Sequence, residues 1–195
     1  MLVTLEGLDG AGKTSAMEAI ADEYPHATQT TEPTECQFGS LVRTRLSDNS
    51  TSGLVDFFLF MCDRRQHVAA LETLLSSGSL IVSDRYSDST RAYQPVVLRN
   101  EVDAFETIAE SRAYIDMLME PWNREPDKTL YIDIDVDTAM ERSDADEKYE
   151  RRAFLEDVRD NYERLCENNK RIVRIDGEQS RDAVAAEVCA ALEDI

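Results

Sequence analysis

Long apolar runs are missing from this chain of 195 residues: no 18 consecutive positions are apolar. A first strand begins at Leu2 and leaves no room for a targeting segment. Neither a membrane span nor a signal peptide is expected, and the protein is read as cytoplasmic. Cysteine is sparse and scattered. Cys36, Cys62, Cys166 and Cys189 form no CxxC pair and have no histidine at zinc-site spacing, so free, packed thiols are expected in place of disulfides or a zinc site. Positive charge is also short, with 21 basic residues against 40 acidic ones and a net charge of −19. Only Lys13, Lys128, Lys148 and Lys170 are lysines. Such a surface repels nucleic-acid backbones and anionic membranes, which excludes both as expected partners. Its plain reading is a solvated acidic coat. A high-salt cytoplasm would account for it, because salt screens the self-repulsion. Repeats, linkers and low-complexity segments are absent, so residues 1–195 are read as one domain.

Short β-branched runs alternate with helical stretches, the pattern of a parallel sheet covered on both faces. Five strands are predicted, at Leu2–Glu6, Ala27–Thr31, Leu80–Asp84, Thr129–Ile134 and Arg171–Ile175; the second is scarcely apolar. Helices are predicted from Thr14 to Tyr24, from Leu54 to Leu75 with Gly78 as the stop, through Val102, Phe105, Ile108 and Ile115, through Phe154–Leu165, and from Ala183 to Leu192. The fold class is α/β, a doubly wound five-stranded parallel sheet with flanking helices.

Chemistry enters at Gly7-Leu8-Asp9-Gly10-Ala11-Gly12-Lys13-Thr14, which fits GxxxxGK[ST] without a mismatch. Glycines let successive backbone N–H groups converge on phosphate oxygens, and the following helix adds the positive end of its dipole. Lys13 is placed to meet the β- and γ-phosphates, and the Thr14 hydroxyl to ligate Mg²⁺. The pattern alone is common. Here it follows an apolar strand and opens a helix, the context that gives it meaning. The strand LIVSD ends in Asp84, where a P-loop protein holds the carboxylate that helps position magnesium; a turn or helix-cap Asp would look alike.

Arg85 follows Asp84, and Arg64 lies inside the long apolar helix. A buried arginine needs an anion or carboxylate partner. Asp63 is adjacent, but neighbours in sequence do not face each other on a helix. Two such arginines suggest a second, phosphate-bearing substrate and favour a nucleotide kinase over a GTPase switch. No NKxD motif is present, since Asn169-Lys170 is followed by Arg171-Ile172.

Over nearly its whole length the chain resembles a thymidylate kinase. The resemblance rests on EGLDGAGKT at Glu6–Thr14, Glu32-Pro33, LFMCDRRQH at Leu59–His67, PDKTLYID at Pro126–Asp133, and above all DRYSDSTRAYQ at Asp84–Gln94. It implies a P-loop NTPase fold with a short lid at about 143–152, and ATP-dependent phosphorylation of dTMP to dTDP with Mg²⁺. On the acceptor side it implies that Phe60 stacks on thymine, Arg64 bonds the base, Thr90 and Gln94 lie at the base edge, and Tyr93 closes against the ribose. Arg85 would hold the dTMP phosphate, and Asp9 would meet the acceptor sugar or the metal. Pro33 belongs to the same wall. Arg43, four residues after Gly39, is either an acceptor-phosphate contact or a surface arginine. His67 is read as structural, and no general base is assigned, because positioning and charge stabilisation do most of the work in phosphoryl transfer.

Two departures stand out. Thr31 and Thr34-Glu35-Cys36 replace an arginine and a Gly-Gly-Thr common in the family. Gly10 stands where one branch places arginine, which passes the transition-state cation to the lid, with Arg142, Lys148, Arg151 and Arg152 as candidates; the last two could equally be solvated and paired with Glu147 or Glu156. Homodimers pairing through a helix are common in the family, and Leu54–Leu75 could supply that face, although a fully buried helix reads the same way. The rival readings are another nucleotide or deoxynucleoside kinase, and a non-catalytic P-loop regulator.

Overall fold

A computed structural model describes residues 1–46, 51–142 and 152–193. The elements run β1 (Leu2–Glu6), α1 (Lys13–Glu23), β2 (Thr28–Thr31), α2 (Gln37–Leu46), α3 (Gly53–Ser76), β3 (Ile81–Asp84), α4 (Ser87–Glu101), α5 (Ile108–Met119), β4 (Lys128–Asp133), α6 (Val136–Arg142), α7 (Arg152–Asn168), β5 (Ile172–Asp176) and α8 (Arg181–Glu193). All four strand pairings are parallel, in the order β2-β3-β1-β4-β5. Strand β1 is central and buried at every position, as an apolar run covered on both faces should be. The weakly apolar β2 is an edge strand, which explains why its polar TQTT sequence is tolerated.

The five strands and the helices α1, α3, α7 and α8 agree with the sequence expectations to within three residues. The helix expected from Val102 begins only at Ile108. Thr107 caps it with a reciprocal bond to Glu110, and this local cap fixes the start more firmly than the apolar spacing suggested. Helices α2, α4 and α6 were not legible. The α4 sequence is polar and contains Pro95, yet Asp88, Thr90 and Gln94 are buried in it because their polar groups face other buried elements and the cavity described below. Tyr93, which reads as a loop aromatic, therefore lies inside a helix.

The largest core unites β1, β4 and β5 with apolar side chains of α1, α7 and α8. A second cluster seats α3 on Leu2 and Ile81, and a third joins α3 to α4 and α5. This packing leaves the carboxyl ends of β1 and β3 side by side, with Leu5 in register with Asp84. Open parallel sheets bind ligands at such strand ends. The four cysteines are unpaired. Among the described residues no helix is long and apolar enough to cross a membrane.

Candidate active site

The glycine loop leaves β1 and enters α1. Gly7, Gly10 and Gly12 have φ of 145°, 79° and 94°, the region where L side chains are strained. Gly10 is further constrained, because a Cβ there would lie 2.7 Å from Arg142 Cβ. Lys13 is 7 % exposed, and its Nζ donates to the Leu8 carbonyl at 2.8 Å and to the Gly7 carbonyl at 3.3 Å. Burial and the neighbouring Arg85 push its pKa down to about 8, against the pull of Asp9, Asp84 and Glu6. Thr14 is exposed on the first turn of α1, and Asp84 ends β3 with its Oδ1 buried and without a hydrogen-bond partner.

Beside the loop lies a cavity of about 140 Å³ lined by Asp9, Glu32, Pro33, Leu46, Phe60, Arg64, Arg85, Tyr86, Ser89, Thr90, Tyr93 and Gln94. It gathers the acceptor-side candidates Asp9, Pro33, Phe60, Arg64, Arg85, Thr90, Tyr93 and Gln94 in one place. Phe60 and Arg64, one helical turn apart, reach it from the same side of α3. Arg64 is 2 % exposed; its Nε donates to Glu32 at 2.6 Å and its Nη2 to the Thr90 hydroxyl at 3.1 Å. Its guanidinium lies 4.7 Å from the centre of the Tyr86 ring. Burial opposes the charge, but Glu32 overcomes that and raises the pKa. The partner demanded by a buried arginine is thus Glu32, across the cavity wall. Asp63 instead accepts from the Thr34 backbone and hydroxyl at 2.8 and 2.6 Å. Arg64 Nη1 remains a buried donor without a partner, and Gln94 Oε1 a buried acceptor without one. His67 bonds Glu32 at 2.7 Å and Thr30 at 2.9 Å, which is a structural role.

Arg85 joins the loop to the cavity. Its Nη1 donates to the Gly7 carbonyl and to Ser89 Oγ, both at 3.1 Å, and its Nη2 to Asp9 at 2.6 Å. The guanidinium lies 5.4 Å from the Tyr93 ring centre. Burial disfavours the cation, but Asp9 and its neighbours raise the pKa well above the ordinary value. Asp9 is correspondingly lowered, first by Arg85 and, against burial, by Lys13 at 4.0 Å.

Arg43 does not line the cavity. It donates to the Pro33 carbonyl at 2.7 Å and pairs with Glu35 at 3.2 Å, bracing the wall from behind. Arg142 approaches the loop, with Nη1 3.4 Å from the Gly10 carbonyl. Arg152 is the first residue of α7 and pairs with Asp137 and, at 3.7 Å, with Glu156. Lys148, Arg151 and all of the segment expected to form the lid except Arg152 lie outside the described residues.

Glu6, Glu32, Tyr86 and Ser89 belong to the same constellation and were not singled out from the sequence as site residues. One signal was available for Glu6: an acidic side chain closing a fully buried strand needs compensation. Burial and Asp88 push its pKa up to about 7, against hydrogen bonds from Ser89 and Tyr162 and the charge of Arg85.

Residues 5–188 match the family model described as "Thymidylate kinase". A probable thymidylate kinase of Halobacterium salinarum is 44 % identical over 197 residues, covering 100 % of this chain and 96 % of that protein. One of Halorubrum lacusprofundi is 41 % identical over 198 residues, covering 100 % and 98 %. The fold is similar to a solved Candida albicans thymidylate kinase, with a TM-score of 0.84 at 23 % identity, over 99 % of this chain and 91 % of that one. A glycine loop, a cavity beside it and full-length sequence similarity lead to one conclusion: the chain belongs to the thymidylate kinase family.

Proposed function

We infer that this protein transfers the γ-phosphoryl group of ATP to dTMP, giving dTDP and ADP. The observation that carries the acceptor choice is a donor and an acceptor among the unsatisfied polar atoms of the cavity-lining residues, Arg64 Nη1 and Gln94 Oε1, beside the Tyr86 and Tyr93 hydroxyls. A buried donor and a buried acceptor are costly until paired. Thymine offers the complements, a carbonyl acceptor at O4 and a donor at N3–H. Cytosine offers the reverse and would leave both wall atoms unpaired. Phe60 supplies a ring for stacking, and Tyr93 lines the same cavity with its ring centre 5.4 Å from the Arg85 guanidinium.

For the transfer itself, the loop amides and Lys13 bind the triphosphate, and Arg85 attracts the acceptor phosphate on the other side of Asp9. Two anions are thereby brought together by groups fixed before substrate arrives. The Thr14 hydroxyl and the unpaired Asp84 oxygen suit an oxygen-seeking Mg²⁺, which would neutralise charge on the transferring phosphates. Arg142, whose Nη1 lies 3.4 Å from the loop carbonyl of Gly10, is our candidate for further charge stabilisation. The family reading also carries a homodimer. Val55 and Phe58 of α3 are 48 % and 47 % exposed, with Cys62 exposed one turn on, and form its proposed face. Sedimentation equilibrium returning the monomer mass would remove that face from consideration.

The test of activity is a panel of dTMP, dUMP, dCMP, dGMP and thymidine with Mg·ATP in buffered salt. dTMP should turn over fastest, dUMP should follow, and dCMP should be rejected by at least a hundredfold. Failure on dTMP with tight ATP binding would instead favour a nucleotide-binding regulator.

A further inference from the structure

Arg85 adopts a conformation that a non-glycine residue enters only when held there. Its φ is +65°, and it is the only described non-glycine residue with positive φ. The backbone is pinned on both sides. The Arg85 N–H donates to the Leu5 carbonyl at 2.9 Å, and Ser83 Oγ donates to the Arg85 carbonyl at 2.7 Å. The next N–H, of Tyr86, donates to Glu6 Oε1 at 2.8 Å. The second carboxylate oxygen accepts from Ser89 Oγ at 2.5 Å and from the Tyr162 hydroxyl at 3.0 Å.

We propose that Glu6 is a positioning residue for the acceptor phosphate: through the Tyr86 N–H it fixes the left-handed backbone at Arg85, and it orients the Ser89 hydroxyl so that Arg85 stays aimed at the cavity. A serine hydroxyl has one hydrogen. With Glu6 ionised, Ser89 donates it to the carboxylate and keeps an oxygen lone pair for Arg85 Nη1 at 3.1 Å. If the acceptor were an amide nitrogen, the serine hydrogen would have to turn away, toward the guanidinium or the Tyr162 hydroxyl, each 3.1 Å from Ser89 Oγ. Turned toward the guanidinium, donor would face donor and Arg85 would lose one of the contacts that set its aim. Tyr162 makes the same carboxylate a junction with α7, since its ring also stacks on Tyr131 at 4.8 Å and meets Tyr93 edge-on at 6.3 Å. An acidic group closing a buried strand thus serves the site and not the core.

This inference rests on the reading of Arg85 as the acceptor-phosphate ligand, and the test separates the two. Steady-state constants for ATP and dTMP are measured for wild type, Glu6→Gln, Arg85→Ala and the double variant, each with a thermal midpoint. Glu6→Gln should raise the KM for dTMP at least tenfold while the KM for ATP stays within twofold. In the Arg85→Ala background the same change should add less than twofold, because the group being positioned is gone. Equal effects of Glu6→Gln in both backgrounds, or equal rises in both KM values, would overturn the proposal. An Arg85→Ala enzyme with an unchanged dTMP KM would instead overturn the reading of Arg85. Should Glu6→Gln not fold, Ser89→Ala and Tyr162→Phe each remove one donor to the carboxylate. Ser89→Ala should raise the dTMP KM several-fold and lose that effect beside Arg85→Ala; additivity there refutes the proposal equally.

Discussion

Raising the pH past about 8 should weaken ATP binding through a single side chain. Lys13, which donates to the loop carbonyls of Gly7 and Leu8, is almost fully buried and sits close to Arg85; burial and that neighbouring charge push its pKa down to about 8 from an ordinary 10.5. A triphosphate replaces those carbonyls with anionic oxygens, which favour the charged form and raise the pKa in the complex. Binding above about pH 8 must therefore be accompanied by proton uptake. Each further pH unit costs about 1.4 kcal/mol, a factor of about ten in Kd. If the complex restores the ordinary value, the penalty levels off near ~3.4 kcal/mol, roughly 300-fold. Isothermal titration with a non-hydrolysable Mg·ATP analogue, run in two buffers of different ionisation enthalpy, reads both quantities. At about pH 9 the Kd should be about tenfold weaker than at pH 7, with close to one proton taken up per nucleotide. A Lys13→Met variant should bind weakly with no pH dependence in this range. A Kd that stays flat for the wild type between about pH 7 and 9.5, without proton uptake, would refute the reasoning.

Two further outcomes are expected. Asp88 is fully buried; it accepts from Arg171 through both oxygens at 2.7 Å, from Arg91 at 3.2 Å and from Thr129 at 2.8 Å. Burial raises its pKa, but these partners win and lower it. Asp88→Asn should cost about 3–5 kcal/mol in urea unfolding at pH 7. Because the folded pKa is depressed, the wild-type advantage is present above the ordinary carboxylate value and fades as pH falls through the folded one, so the gap should close only in strong acid. A loss under ~1 kcal/mol at neutral pH would show that the arginines find other partners. The net charge of −19 should make the thermal midpoint climb between about 0.15 M and about 2 M KCl, as the screening length shortens; an unchanged midpoint would refute the high-salt reading of the composition.

The parts of this molecule that were legible in the sequence obey local or periodic rules. The glycine loop carries its own backbone geometry, and α3 shows its buried stripe from Phe57 to Leu71. What stayed hidden is polar burial. Helix α4 holds much of the cavity wall, yet Ser-Asp-Ser-Thr-Arg reads as a surface stretch until Arg171, Arg91 and Thr129 are seen to surround Asp88. Arg64 was recognisable as an arginine in need of an anion, but its partner Glu32 is 32 residues away, and only the fold joins them. Family resemblance supplied Tyr93, Thr90 and Gln94, which neither periodicity nor charge would have marked.

The close approach of Gly10 to Arg142 has a consequence for anyone redesigning the loop. Two positions 132 residues apart share one volume, so a side chain can grow from the loop or from the end of α6, but not from both. Grafting an arginine onto position 10 is therefore not an addition. It is an exchange that requires trimming the helix end in the same step, and the φ of 79° still strains any side chain placed there.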